Sequence, residues 1–236
     1  KLSDIIQAVE NLELPDVSLN GFTTIVDAKK AKIYMKNFGE FFVNQIEHAG
    51  TIILSRTGNI SEDKLKKAVE LIREHNTKAT IITTPWDALD GKDILATIEG
   101  AADLEAELMA ELKEQREHEH EHEHHHDHGE CDDPNCSCHD HHHHHHADDV
   151  FSSWGKETPK KFSKEALEDM LHKLDSGDYG HILRAKGIVN GEDGWLEFDY
   201  VPEEHEVRAG HPDYTGRLCV IGAELKEDGL AELFGV

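Results

Sequence analysis

Twenty-nine consecutive residues, from His118 to His146, read HEHEHEHHHDHGECDDPNCSCHDHHHHHH and hold fourteen histidines and three cysteines. Such a stretch has no apolar face and cannot build a core. It divides the 236-residue chain into 117 residues before it and 90 after it, which predicts two globular pieces around a flexible linker. Neutral imidazole is the commonest metal ligand and thiolate the softest, so the composition suits zinc, nickel, cobalt or copper rather than calcium or magnesium.

Three plainer readings compete with metal handling. His141 to His146 is six histidines in a row, as in an expression tag, but the run is internal and continues a His/Glu alternation. The interleaved acids also make the tract a solvated linker, a role compatible with binding ions. A closed structural zinc site fits poorly, because Cys131, Cys136, Cys138 and His139 follow C-x4-C-x-C-H rather than two separated close pairs. The candidate ligands are therefore many: His118, His120, His122, His124, His125, His126 and His128, then the four residues just named. His141, His142, His143, His144, His145 and His146 complete them. This excess predicts a labile, multi-site collector.

The formal net charge of -25 repels phosphate backbones and anionic lipid, and no Lys/Arg cluster offsets it, so nucleic acid and membrane surfaces are not expected partners. No apolar run is long enough to span a bilayer, and no signal peptide is expected before Lys1. Thiols beside imidazoles suit a reducing compartment, and a cytoplasmic location is expected. Cys219, within the apolar run Leu218 to Ile221, is expected in a core. The chain lacks an initiator Met and opens directly on a helical pattern (Leu2, Ile5, Ile6, Val9, Leu12), as expected of a piece of something longer.

Residues 1–100 alternate two periodicities. Helices are predicted over 2–12, 29–48 and 62–75, and apolar runs over 22–28, 51–54 and 79–84. The runs TTIVDA, TIILS and ATIITT are short, continuously apolar and rich in Ile and Thr, as in parallel strands covered on both faces, which makes this an α/β fold. Ser61 before Glu62 and Asp63 predicts a capped, acidic helix start. Ligands of such sheets sit beyond the carboxyl ends of the strands, here around Asp27, around Ser55 to Gly58 and around Thr83 to Trp86. The phosphate-binding pattern G-x-x-x-x-G-K-[ST] does not occur in the 236 residues.

Beyond the tract the order β-α-β-β-β-β-α is predicted. It comprises a strand FSSW, a helix 163–174 capped by Ser163, strands near 181–190, 195–202, 206–210 and 216–222, and a helix 226–234. Glycines at 191 and 194 mark a hairpin. The core candidates are Trp154, Phe162, Leu167, Leu171, Ile182, Leu196, Phe198, Val220 and Leu230. Arg184 and Lys186 alternate with Leu183 and Ala185, which puts them on the solvated face of a strand or on a docking face. His172, His181, His205 and His211 are scattered and are read as ordinary histidines.

GFTTIVDA, TIILSRT with the later HNTKATIITT, FSSWGKETPKKFSKEALEDMLHKL with HILRAKGIV, and GRLCVIGAELKEDGL occur in the order seen in the CobW-type metallochaperone GTPases, which this chain resembles over nearly its whole length. The resemblance implies three domains: 1–100 as the C-terminal portion of a P-loop GTPase domain, 101–149 as an acidic His/Cys-rich linker, and 151–236 as the small α+β C-terminal domain. It further implies that the phosphate-binding loop lies upstream of Lys1, that GTP and Mg act in the complete protein, and that zinc, or cobalt or nickel, passes to a client metalloprotein. Ser55, Arg56, Thr57 and Gly58 fall where the family's base-recognition motif N-K-x-D stands. Arg56 has a planar group to lay on a base. Gly58 lacks the guanine-selecting carboxylate, and Asp87 or Glu62 are its candidate substitutes. The reading from another class is a non-enzymatic module that sequesters metal.

Overall fold

The computed structural model describes residues 1–12, 15–16, 18–100, 104, 108–110 and 151–236. Two sheets form around separate cores. In the first, β1 (Thr23–Asp27), β2 (Thr51–Ser55) and β3 (Thr80–Ile82) lie parallel in the order β1-β2-β3. Ile25 pairs with Ile53, which pairs with Ile82, so the strands end nearly level and their carboxyl ends share one edge. This is the mixed α/β architecture expected, with a parallel sheet.

Helices α1 (Leu2–Glu10), α2 (Ala31–Glu47) and α3 (Glu62–Arg73) match the predicted spans to within two residues at every end. On α3 the apolar stripe Leu65, Ala68, Val69 and Ile72 recurs at helical spacing and packs on β2, where Ile52 and Leu54 are fully buried. The turn out of α3 is tied down by Asn76. Its side-chain amide donates to the carbonyls of Ile46 and Ala49 at 2.8 and 2.9 Å, and its carbonyl oxygen accepts from Ala79 N at 2.8 Å. Two local expectations need correction. Ser61 is at the N-cap of α3, but its side chain makes no capping bond. Helix α2 is broken in the middle at Gly39, whose φ of 41° only glycine adopts readily there. Helix α4 (Gly91–Gly100) follows β3.

The second sheet has six strands. β4 (Ser152–Thr158), β6 (His181–Gly191), β7 (Trp195–Val201), β8 (Glu204–Ala209) and β9 (Gly216–Ala223) run in the order β4-β9-β6-β7-β8, and the short β5 (Lys161–Phe162) pairs in parallel with β6. The predicted strand FSSW is thus the start of a seven-residue strand, and β5 is an addition. Helix α5 (Lys164–Lys173) is capped by Ser163, whose hydroxyl accepts from Ala166 N at 3.2 Å. The hairpin at residues 190–195 is present, with Gly191 N donating to Gly194 O at 2.8 Å.

Helix α5 and helix α6 (Glu227–Phe234) cover one face of this sheet, over a core that includes Phe162, Leu167, Leu171, Phe198, Val220 and Leu230. Trp154, Phe234 and Phe198 form a stack in it, with successive ring centroids 5.9 and 6.5 Å apart. Leu196 is only partly buried against that core. A register shift between Ile182 and Arg184 breaks the simple alternation, so Ile182 and Ala185 point inward and Arg184 and Lys186 are half-buried rather than fully solvated. On the opposite face Cys219 and Ile221 are buried against Leu104 and Leu108. Those two residues are helical and fall inside the stretch 101–149 expected to be linker.

Candidate functional site

The residues that close β2 fold back over the sheet edge. Arg56 takes a left-handed conformation (φ 62°), which costs a non-glycine residue roughly 1–3 kcal/mol and recurs where function demands a particular backbone. Its Nε lies 3.2 Å from the Asp27 carboxylate, so the ends of β1 and β2 are bridged by charge. The Ser55 hydroxyl donates to Val26 O at 3.2 Å. Thr57 to Asn59 form a single tight helical turn that carries Gly58 toward Pro85 in the loop after β3. A Cβ at Gly58 would meet only the Pro85 Cβ, at 3.9 Å, so the position has room for a larger side chain. All three strand-end loops singled out from the sequence are therefore joined, by Asp27–Arg56 on one side and Gly58–Pro85 on the other.

The same edge carries the second sheet. Thr83 N and Thr84 N both donate to Tyr214 O, at 2.9 and 3.2 Å. The hydroxyls of Thr83 and Thr215 are 2.9 Å apart, and the Thr84 hydroxyl donates to Asp213 O at 2.6 Å. Behind them Ile53, Ile82 and Tyr214 form a small apolar cluster. The Tyr214 hydroxyl donates to Glu157 Oε1 at 2.6 Å, and Arg73 Nη2 meets Glu157 Oε2 at 2.9 Å. Burial, and after it the Glu157 carboxylate, pushes the Tyr214 hydroxyl far above the ordinary phenol range, so it stays a donor. Between the sheets lies a cleft of about 320 Å³, walled by Thr57, Gly58 and Pro85 on one side and by Lys161, Asn190 and Trp195 on the other. The strand-end signal located the first wall. No local pattern pointed to the second, because it is built by pairing between distant strands.

The candidate metal ligands between His118 and His146, with Cys131, Cys136 and Cys138 among them, lie outside the described residues. Among the described residues no group of three or more His, Cys, Asp and Glu side chains is arranged to hold a metal ion. His172 and His205 approach with ring centroids 6.5 Å apart, beside Asp175. The Tyr200 hydroxyl, then the Glu203 amide, hold the Asp175 carboxyl below its usual range. Cys219 is buried to 1% exposure within the sheet, as its apolar neighbours predict. Among the described residues no helix is long and apolar enough to cross a membrane.

Residues 151–235 match the family described as the cobalamin synthesis protein cobW C-terminal domain. The second sheet is similar to a CobW C-terminal domain over those residues. The CobW-type recognition made from RAKG and its neighbouring motifs is thereby borne out. A relative in Schizosaccharomyces pombe, the zinc-regulated GTPase metalloprotein activator 1, is 35% identical over 75 residues, which is 32% of this chain and 18% of that protein. The matched stretch thus spans less than a fifth of the relative's length. The Zn(II)-bound YjiA GTPase of E. coli and a Zn(II)-bound triple mutant of it each align over all of this chain and 67% of their own. Both are 20% identical, with TM-scores of 0.37 and 0.34, and superposition at that level says nothing of this chain's chemistry.

Proposed function

We propose that this chain is the C-terminal part of a GTP-dependent metallochaperone that carries zinc, or alternatively cobalt or nickel, to a client metalloprotein. One observation carries this reading. A tract of fourteen histidines and three cysteines precedes a CobW C-terminal domain, while the relative that matches over 75 residues is named for zinc regulation and GTPase action. In this reading residues 1–100 belong to a P-loop GTPase domain, residues 101–149 include the metal-collecting segment, and Ser55 to Gly58 face the nucleotide base. The tract captures and concentrates the cargo. GTP and Mg would act through a phosphate-binding loop upstream. The residues present fit a base rather than phosphates, since Arg56 offers a planar cation and Gly58 leaves room beside Pro85.

The test is calorimetric. The 236-residue chain is expected to take up several equivalents of zinc near neutral pH and to release them as the imidazoles protonate below about pH 6.5. Deleting His118 to His146 should remove most of that capacity, and an unchanged stoichiometry would overturn the reading. The same chain is expected to hydrolyse no GTP, and robust phosphate release from the purified material would show that a phosphate site exists where none was read. In a chain that includes the upstream loop, Gly58→Asp should raise the preference for guanine over adenine nucleotides about tenfold, because a carboxylate then accepts two base donors. An unchanged affinity ratio would place the base elsewhere. A non-enzymatic zinc buffer is the second reading, favoured by the excess of ligands over any single site. An upstream G-x-x-x-x-G-K-[ST] in the parent sequence decides against it.

A further inference from the structure

The cleft between the sheets contains polar groups that the fold itself does not use. Thr57 is 8% exposed, and its Oγ1 has no hydrogen-bond partner among the described residues. A buried hydroxyl in that condition has lost its water without a replacement partner, and a ligand relieves the loss. The contrast with its neighbours is sharp. Thr83 and Thr84 line the same cleft, but their hydroxyls are engaged by Thr215 and Asp213. Glu62 stands at the start of α3 on the Gly58 side, and Asn190 is carried by β6 of the CobW C-terminal domain. Among the described residues neither side chain makes a hydrogen bond or a direct ion pair, although the Glu62 charge acts on the Lys160 ammonium; Lys161 likewise makes neither.

The walls that separate these groups are flat and apolar. Trp195 and Pro159 come from the C-terminal domain, and Pro85 from the loop after β3. A volume of about 320 Å³ with a few convergent polar groups lies at the small end of ligand sites and suits a single ring system rather than a whole cofactor. Carboxylate, amide and hydroxyl together match a heteroaromatic edge that alternates donors and acceptors. Guanine has two adjacent donors for a carboxylate and acceptors for the amide.

We propose that Asn190 of the CobW C-terminal domain, together with Glu62, reads the edge of a purine base held in this cleft, so that base specificity is shared between the two sheets. The proposal rests on the reading of Ser55 to Gly58 as the base-facing loop. Glu62 supplies the carboxylate that Gly58 lacks, and Asn190 adds the donor and acceptor of its amide from the opposite wall. Thr57 Oγ1 gains the partner the fold does not provide.

Nucleosides test this without phosphate contacts. Guanosine and adenosine at millimolar concentration are titrated into the 236-residue chain, with saturation transfer to the base protons as the signal. Guanosine is expected to give transfer, and Asn190→Ala and Glu62→Gln are each expected to weaken it at least tenfold with the thermal midpoint retained. Lys173→Ala, at an exposed position on α5 outside the cleft, is expected to fold normally and to leave nucleoside binding within twofold. Should Arg56→Ala abolish transfer while Asn190→Ala leaves it intact, the C-terminal domain takes no part and the inference fails, with the loop reading preserved. Absence of transfer from either nucleoside in the unaltered chain overturns both.

Discussion

Excised residues 151–236 should unfold in one cooperative transition, whereas residues 1–100 alone should aggregate or stay partly molten. The physical difference lies in how each core is closed. In the C-terminal sheet the long central strands β6 and β9 are flanked on both sides, and fifteen buried residues form one cluster beneath α5 and α6. A domain of this size typically retains roughly 4–13 kcal/mol, enough for two-state behaviour without disulfides or metal. Excision removes the cover that Leu104 and Leu108 lay over Cys219 and Ile221, so the isolated domain should lose some stability but keep its main core. The three-stranded sheet is in a different position. Ile25 on its edge strand is 60% exposed, and Ile33, Phe38 and Phe41 of α2 are 56, 59 and 62% exposed. Apolar surface on that scale next to an unpaired strand edge favours association. Well-dispersed amide spectra from a 1–100 fragment, or a broad non-cooperative melt of 151–236, would contradict the expectation.

Gly187→Ala should destabilise the C-terminal domain by about 3 kcal/mol, a large effect for one methyl group. Gly187 lies in the middle of β6, paired with Phe198 on one side and Leu218 on the other. A Cβ there would overlap the Phe198 ring and press on the Arg217 carbonyl oxygen. Phe198 cannot retreat freely, because it stacks on Phe234, which stacks on Trp154. The wedge is thus passed through three rings, and the backbone oxygen has no rotamer by which to escape. Chemical denaturation of the 151–236 domain, comparing midpoints at constant slope, measures the loss. A shift below about 0.5 kcal/mol would mean that the ring has room to move.

The glycine of the RAKG motif therefore has a packing reason, visible only once β7 is placed beside it. The same contrast runs through the chain. TIILS and ATIITT were legible because continuous apolarity over a few residues is what burial on both faces of a parallel strand demands, and the strand-end loops followed from chain direction alone. The helix over 164–173 was legible from its cap and its leucine spacing. β5 was not, since two residues carry no periodicity. Neither was the helical turn at Leu108, which merges into a run of alternating Glu and Leu that reads equally as solvated linker. Half of the candidate cleft was hidden for a different reason. Asn190 and Trp195 are hairpin residues by local pattern, and it is long-range bonds such as those from Thr83 and Thr84 to Tyr214 that bring that hairpin to the end of β3.

Strand β9 has a mechanical consequence. One end begins just beyond Tyr214, which is bonded to the loop that borders the cleft, and its middle bears Cys219 and Ile221, on which Leu104 and Leu108 rest. Eight paired residues make a strand of about 27 Å, held between two neighbours. The approach to the histidine-rich tract is thus seated on the same beam whose near end is fastened to the strand-end loop.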